Sequence, residues 1–333
     1  MASPRVRRAA LAALALLFFA VAAAAWLIAP EWPLPPPLSG ALHPLALEHG
    51  GRPRHALVYV PARLAAAPDL VLVLHGSQSS GVQMRRGSGY GFDVWADAAG
   101  AVVAYPDGFE RHWNDCRRAG PYSANRENVD DVGFLRALAA HVARELGVRW
   151  DGVLATGISN GGQMALRLAL EAPDFATAAA PMAANLPTDE NLDCEPANGG
   201  TAFLLINGTE DPMNPYAGGD VVFYGVLAPR GPVLGSEQTA AFFARRAGHD
   251  GPPAREALPD ADRRDGTRVE RLAWRGDGHP PVALLTIVGG GHTVPQRSGR
   301  FPRILGRTSR DVDAAEAVTA FYAEAKAVRA AAR

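Results

Sequence analysis

A serine hydroxyl attacks a carbonyl only where a base can take its proton and a carboxylate can hold that base in the right tautomer. The stretch Thr156-Gly157-Ile158-Ser159-Asn160-Gly161-Gly162 sets Ser159 in a G-x-S-x-G pattern. It follows the apolar Val153-Leu154-Ala155 and precedes a helical-looking Gln163 to Glu171, which gives the strand, tight turn, helix context in which the pattern has chemical meaning. A serine on such a turn takes a strained backbone conformation, so the positions two before and two after it need residues without bulk. Gly157 and Gly161 meet that demand. The following helix points its free N–H groups and positive dipole end toward charge developing on a substrate oxygen. A glycine-rich turn whose serine only caps a helix has the same local sequence. The partners must therefore be sought elsewhere in the chain.

Two later loops supply them in order. Phe203-Leu204-Leu205-Ile206 runs into Asn207-Gly208-Thr209-Glu210-Asp211-Pro212, and Leu284-Leu285-Thr286-Ile287-Val288 runs into Gly289-Gly290-Gly291-His292-Thr293. Asp211 is the expected acid, with adjacent Glu210 as its rival, and His292 the expected base. His75 also ends a strong apolar run, but it precedes the serine and is better suited to shaping a loop of oxyanion donors; His279 lies in a polar Gly-Pro loop. An oxyanion hole needs two N–H groups aimed at one point. Asn160 offers one from its backbone, and the loop after His75-Gly76 offers the other, from Ser77 first and Gln78 second. Gln78, Trp113 and Asn114 are candidates for substrate contact, although a tryptophan there could equally be packed beneath a long loop. Asp130 and Asp131 have the look of metal ligands but stand where a helix starts, which suits capping. No His/Cys/Asp cluster has metal spacing and no dinucleotide or phosphate loop is present, so no metal and no cofactor are expected.

These side chains need strands and helices to hold them. Leu45 to Glu48 and Arg54 to Val60 read as strands around a Gly50-Gly51 turn, and Leu70 to Leu74 and Ala101 to Tyr105 as strands buried on both faces. Gln83 to Ala98 reads as a broken helix, and Val132, Leu135, Leu138, Val142 and Leu146 recur at helical spacing. Thr177 to Met182 and Phe203 to Ile206 follow as strands, Ser236 to Gly248 as a helix capped by Ser236, Arg255 to Arg264 as a polar surface excursion, Val269 to Trp274 and Val282 to Val288 as late strands, and Asp311 to Ala331 as a closing helix begun by Asp311. Strand and helix alternating in this way imply an α/β fold: a doubly wound, mostly parallel sheet with helices on both faces and ligands at the carboxyl ends of the strands.

The combination resembles the polyhydroxybutyrate depolymerase and feruloyl esterase group of α/β-hydrolases, a carbohydrate-esterase-like branch. The resemblance is carried by Gly51-Arg52-Pro53-Arg54 through Val58-Tyr59-Val60-Pro61, Leu74-His75-Gly76, Tyr105-Pro106-Asp107-Gly108, Trp113-Asn114, Val129-Asp130-Asp131-Val132-Gly133-Phe134, Thr156 to Gly162, Gly208 to Pro212 with Pro215-Tyr216-Ala217-Gly218-Gly219, and Gly289 to Pro295. It implies the α/β-hydrolase fold, a Ser159, Asp211, His292 triad and ester substrates. The chain departs from the group at Val294, where an aromatic residue is common, and at Ser77, where a cysteine is common. Both departures fall beside the pocket rather than in the triad. With no appended module for gripping solid polyester, the expected substrates are small or oligomeric esters, namely hydroxyalkanoate oligomers or acetyl and feruloyl groups on saccharides. A peptidase or acyltransferase on the same fold and a non-catalytic hydrolase-like binding protein are the rivals.

Composition bounds the rest. The 333 residues are 48% hydrophobic, enough for one large domain with a sizeable core, and the net charge of -1 without a basic block argues against nucleic acid as a partner. Arg5, Arg7 and Arg8 precede an uncharged run from Ala9 to Pro30, the pattern of an export signal. Ala23-Ala24-Ala25 offers a processing site, while the length of the run leaves an uncleaved membrane anchor as the alternative. The expected organisation is a signal peptide or anchor over 1–29, a proline-rich linker over 30–41 and the catalytic domain over 42–333, in a periplasmic or extracellular protein. Such a chain meets an oxidising compartment, where Cys116 and Cys194 can pair; two separate buried thiols are the other reading.

Overall fold

A computed structural model describes residues 4–225, 229–276 and 278–332. In chain order the elements are α1 (Pro4–Ile28), β1 (Ala41–His49), β2 (Arg52–Val60), β3 (Leu70–Leu74), α2 (Gly81–Gly87), α3 (Gly91–Ala99), β4 (Val102–Pro106), α4 (Ser123–Arg126), α5 (Asp131–Leu146), β5 (Val153–Ile158), α6 (Asn160–Glu171) and β6 (Ala178–Met182). They continue with β7 (Ala202–Gly208), the short β8 (Gly219–Asp220) and β9 (Pro232–Val233), α7 (Ser236–Arg246), β10 (Ala254–Ala257), β11 (Arg268–Trp274), β12 (Val282–Val288), a 3-10 turn over Arg303–Leu305 and α8 (Ala314–Ala331). Among the described residues, ten strands form one sheet in the order β1-β2-β4-β3-β5-β6-β7-β12-β11-β10. The run from β4 to β12 is parallel throughout, and antiparallel strands flank it on both sides. This is the α/β-hydrolase arrangement.

The alternation of β3 explains why the sheet is covered twice. Leu70, Leu72 and Leu74 join Phe134, Leu135 and Leu138 of α5 and Met164 and Leu168 of α6 in one core, while Val71 and Val73 face Phe92 of α3 and Val318 and Tyr322 of α8 in another. All five residues of β3 are buried, as an apolar run in the middle of a parallel sheet must be. With both faces committed to helices, the carboxyl ends of β3, β5, β7 and β12 are left for a site.

Helix starts show where side-chain chemistry overrides a pattern. Asp130 caps α5, its Oδ1 accepting from the Gly133 N–H at 2.8 Å. Asp131 is fully buried and receives Arg54 at 2.6 Å; burial pushes its pKa up while Arg54 opposes the rise. The closing helix begins not at Asp311 but at Ala314, capped by Asp313, because Asp311 Oδ1 accepts instead from the Ala261 and Asp262 N–H groups and ties down the polar excursion. Gly235, not Ser236, occupies the cap of α7; the buried Ser236 hydroxyl donates to Asn185 and accepts from Asn207. Part of the Arg255 to Arg264 excursion forms the edge strand β10, in which Arg255 lies between Glu237 and Glu270. At the opposite edge, β1 carries Pro44.

Cys116 and Cys194 form a disulfide across 78 residues. Among the described residues no helix is long and apolar enough to cross a membrane.

Candidate active site

Ser159 sits on the turn between β5 and α6 with φ 57° and ψ −121°, a backbone conformation that L-residues avoid. The flanking glycines make the turn sterically feasible. A Cβ on Gly157 would lie 2.5 Å from the Leu74 carbonyl oxygen, and one on Gly161 would lie 2.3 Å from the same atom. The turn is held by the Ser159 N–H donating to Met182 O at 2.9 Å and by the Gln163 N–H donating to Ser159 O at 2.8 Å.

Acid and base meet through a second glycine contact. A Cβ on Gly208, at the end of β7, would lie 2.2 Å from Gly290 O, so β7 and the loop after β12 approach backbone to backbone. That approach brings His292 Nδ1 to 2.7 Å from Asp211 Oδ2, with both side chains almost wholly buried. The other carboxylate oxygen accepts from the Met213 and Asn214 N–H groups at 2.7 and 2.8 Å. Adjacent Glu210 turns outward to Arg307 at 2.6 Å, which separates two residues that the sequence left as rivals. The His292 N–H donates to Leu305 O at 2.7 Å, anchoring the histidine loop to the chain after β12. Its Nε2 is buried and has no hydrogen-bond partner among the described residues. Ser159 and His292 line one cavity of about 390 Å³.

The loop after β3 supplies the facing wall. Ser77 and Gln78 both line the cavity, but their amides differ. The Gln78 N–H donates to Arg111 O at 3.1 Å, whereas the Ser77 N–H has no backbone acceptor among the described residues. The Ser77 hydroxyl donates to the Tyr122 hydroxyl at 2.8 Å. His75 is fully buried beneath this loop, its Nε2 accepting from the Gly108 N–H at 2.9 Å and its Nδ1 donating to Gly76 O at 2.7 Å. The tautomer follows from those two partners. Burial pulls the His75 pKa down to about 4, so the ring is neutral near pH 7.

Trp113 and Asn114, expected as candidates for substrate contact, do not line this cavity. Trp113 is fully buried, packed against the His75 ring at 5.2 Å, with its indole N–H donating to His75 O. The Asn114 side chain donates to Asn128 and to Val129 O. The donors of both side chains are thus engaged, that of Trp113 by the loop after β3 and that of Asn114 by the residues leading into α5.

Three features escaped the sequence. The Asn160 side chain accepts from the Trp113 N–H at 2.7 Å and donates to Trp113 O at 3.0 Å and Asp115 Oδ2 at 2.6 Å, clasping the long loop to the start of α6. Asp115 in turn pairs with buried Arg117 beside the disulfide. The apolar part of the cavity, finally, comes from distant segments: Pro30, Trp32, Met84, Met213, Phe301 and Leu305. An asparagine after a nucleophilic serine and an aromatic residue inside a proline-rich spacer are the only sequence traces of these.

No protein-family model matches the chain. A protein of Nocardia uniformis subsp. tsuyamanensis named "Putative esterase NocK" is 34% identical over 277 residues, which cover 80% of this chain and 77% of that protein. Among solved structures, acetyl xylan esterase from Aspergillus awamori aligns with a TM-score of 0.55 at 18% identity, over 77% of this chain and 96% of that one. The second likeness is one of fold.

Proposed function

Since the chain belongs to the family of the Nocardia relative, the α/β-hydrolase esterases, and is an enzyme that hydrolyses carboxylic esters, we propose that it does so through a Ser159, His292, Asp211 triad and an acyl-enzyme. The observation that carries the mechanism is His292, held on Nδ1 by Asp211 at 2.7 Å while its buried Nε2 has no hydrogen-bond partner among the described residues and the ring lines the cavity that Ser159 also lines. That nitrogen takes the Ser159 proton as Oγ attacks the ester carbonyl, and Asp211 stabilises the imidazolium that results. The proton then passes to the departing alcohol oxygen. Water, deprotonated by the same nitrogen, cleaves the acyl-enzyme and returns the proton to Ser159.

Charge on the tetrahedral oxygen is met by the N–H groups of Asn160, at the start of α6, and Ser77, whose amide has no backbone acceptor among the described residues. The neutral, buried His75 and Trp113 hold the loop that carries Ser77. The substrates are hydroxyalkanoate oligomers or acyl and feruloyl groups on saccharides, in keeping with the resemblance in the motifs. The N-terminal segment acts as an export signal, and the Cys116–Cys194 disulfide accords with an oxidising destination.

The test is hydrolysis by the full chain of p-nitrophenyl acetate and butyrate, methyl ferulate and a 3-hydroxybutyrate oligomer, with Ser159→Ala alongside. Turnover that vanishes in the variant is expected, and the relative rates rank the substrate classes. Turnover that survives in Ser159→Ala would remove the triad reading. For export, fractionation should find the chain outside the cytoplasm; an intact chain in the cytoplasm would overturn it.

A further inference from the structure

The residues between α1 and β1 read as a spacer, yet Pro30 and Trp32 line the cavity that contains Ser159 and His292. They are held there from several directions. The Glu31 N–H donates to Arg300 O and the Arg300 N–H to Glu31 O, each at 2.8 Å, forming an antiparallel bridge between the stretch that holds the cavity-lining Pro30 and Trp32 and the segment that carries Phe301. The Glu31 carboxylate pairs with Arg300 and lies 3.4 Å from Arg303. The same Arg303 donates to Trp26 O at 2.9 Å and stands 4.2 Å from the centre of the Trp26 ring, so the end of α1 is fastened as well.

The Trp32 ring meets Phe301 edge to face, with centroids 5.1 Å apart and planes at 84°. Gly87 lies beneath the pair: a Cβ there would be 3.6 Å from Phe301 Cζ and 3.8 Å from Trp32 Cη2, so the rings rest on the end of α2 where no side chain intervenes. Two residues on, Leu34 is 88% exposed and is not among the residues that line the cavity. The segment carrying Phe301 and Leu305 also supplies the carbonyl that anchors His292.

We propose that Pro30–Trp32 is part of the substrate site and that Trp32 is a specificity-determining residue, whose bulk limits the apolar portion of the ester that the cavity accepts. The inference rests on the serine-esterase reading above. With Met84, Met213, Phe301 and Leu305, the wall suits an alkyl chain or aromatic ring attached to the ester. Processing after Ala23-Ala24-Ala25 leaves the arm on the mature chain, whereas removal of the whole proline-rich stretch takes the wall away.

The test uses the full chain and two series of esters: p-nitrophenyl acetate, butyrate and octanoate, which vary the acyl side, and ethyl, butyl and octyl acetate, which vary the alcohol side. In Trp32→Ala, the ratio of kcat/KM for the longest ester to that for the shortest is expected to rise by about tenfold in at least one series, the scale on which apolar pockets discriminate. Trp32→Phe should fall between it and the wild type. Phe301→Ala, which removes the other half of the ring pair, should move the ratio in the same series. A ratio unchanged or lowered in both series, including a uniform loss of rate on every ester, overturns the inference while leaving the triad intact. Absence of Ser159-dependent hydrolysis in the wild type overturns the esterase mechanism, and the inference with it. Should Trp32→Ala fail to fold, Trp32→Phe and Phe301→Ala carry the same comparison.

Discussion

Asp211 gives one carboxylate oxygen to His292 Nδ1 at 2.7 Å and the other to the N–H groups of Met213 and Asn214. The carboxylate is thus fixed by its own turn before it orients the imidazole. Asp211→Asn places an amide where the acceptor stood and favours the wrong tautomer of His292, so kcat should fall by about 10⁴-fold with folding preserved. Glu210→Gln, which removes only an exposed pair with Arg307, should leave kcat within about twofold. Steady-state kinetics of the two variants side by side decide which carboxylate serves His292, and the reverse ranking would displace Asp211.

The turn at Ser159 depends on backbone contact rather than on glycine flexibility. Gly161→Ala would drive a Cβ into the Leu74 and His75 carbonyls, and urea unfolding should show a loss of about 2–3 kcal/mol together with reduced activity. Gly147→Ala is the matched control: that glycine caps α5 at φ 65° with nothing within 4 Å of a built Cβ, so only the backbone penalty of about 1 kcal/mol applies. Equal losses in the two variants would contradict the steric account.

His75 makes stability depend on pH in a definite direction. Its pKa is about 4 in the folded chain against 6.5 for the free side chain, so between those values the unfolded chain binds more protons. Its contribution is complete above pH 6.5, is lost as pH falls toward 4 and changes no further below that. The loss amounts to at most about 3 kcal/mol. Buried Asp131 and Asp93, whose pKa values are raised by burial, act in the opposite sense, so the quantity to measure is the difference between wild type and His75→Asn in urea midpoint from pH 4 to 7. That difference should shrink as pH falls; a constant offset would show that His75 is not buried as the neutral ring.

The disulfide closes a long loop around the nucleophile turn. In the chain-entropy picture it contributes about 4 kcal/mol, less whatever structure the reduced chain retains. Replacing both cysteines by alanine should lower the unfolding midpoint and abolish its response to dithiothreitol, while wild type should show that response in full. A wild type indifferent to reductant would mean that the two thiols are not joined in the folded protein.

The parts of this molecule that the sequence declares are those governed by local pattern. The strand cores around Val71, Val103, Leu154 and Leu284 are continuous apolar runs, and the glycines two residues either side of Ser159 mark the turn because the backbone leaves no alternative. Asp211 and Glu210 could not be separated in that way: adjacent residues share every compositional property, and only the meeting of Gly208 with Gly290 decides which one faces His292. Trp113 was ambiguous for a related reason, since position at a strand end places a residue near a site without saying which way its ring points. Trp32 was invisible because its partner Phe301 is distant in sequence and the prolines around it describe only an extended chain. The cap of α8 lies two residues beyond the expected Asp311 because Asp311 and Asp313 are equally good caps in sequence, and Asp311 is claimed by the amides of Ala261 and Asp262.

The two margins of the sheet bear on how this protein behaves in company. A free edge strand offers its peptide groups to any passing chain, and association in that direction has no natural end. Here one margin carries Pro44, which has no amide hydrogen to offer, and the other is the four-residue β10, whose Arg255 and Glu256 are engaged by acidic and basic side chains of neighbouring elements. Growth of the sheet by recruiting further copies is therefore disfavoured at both margins.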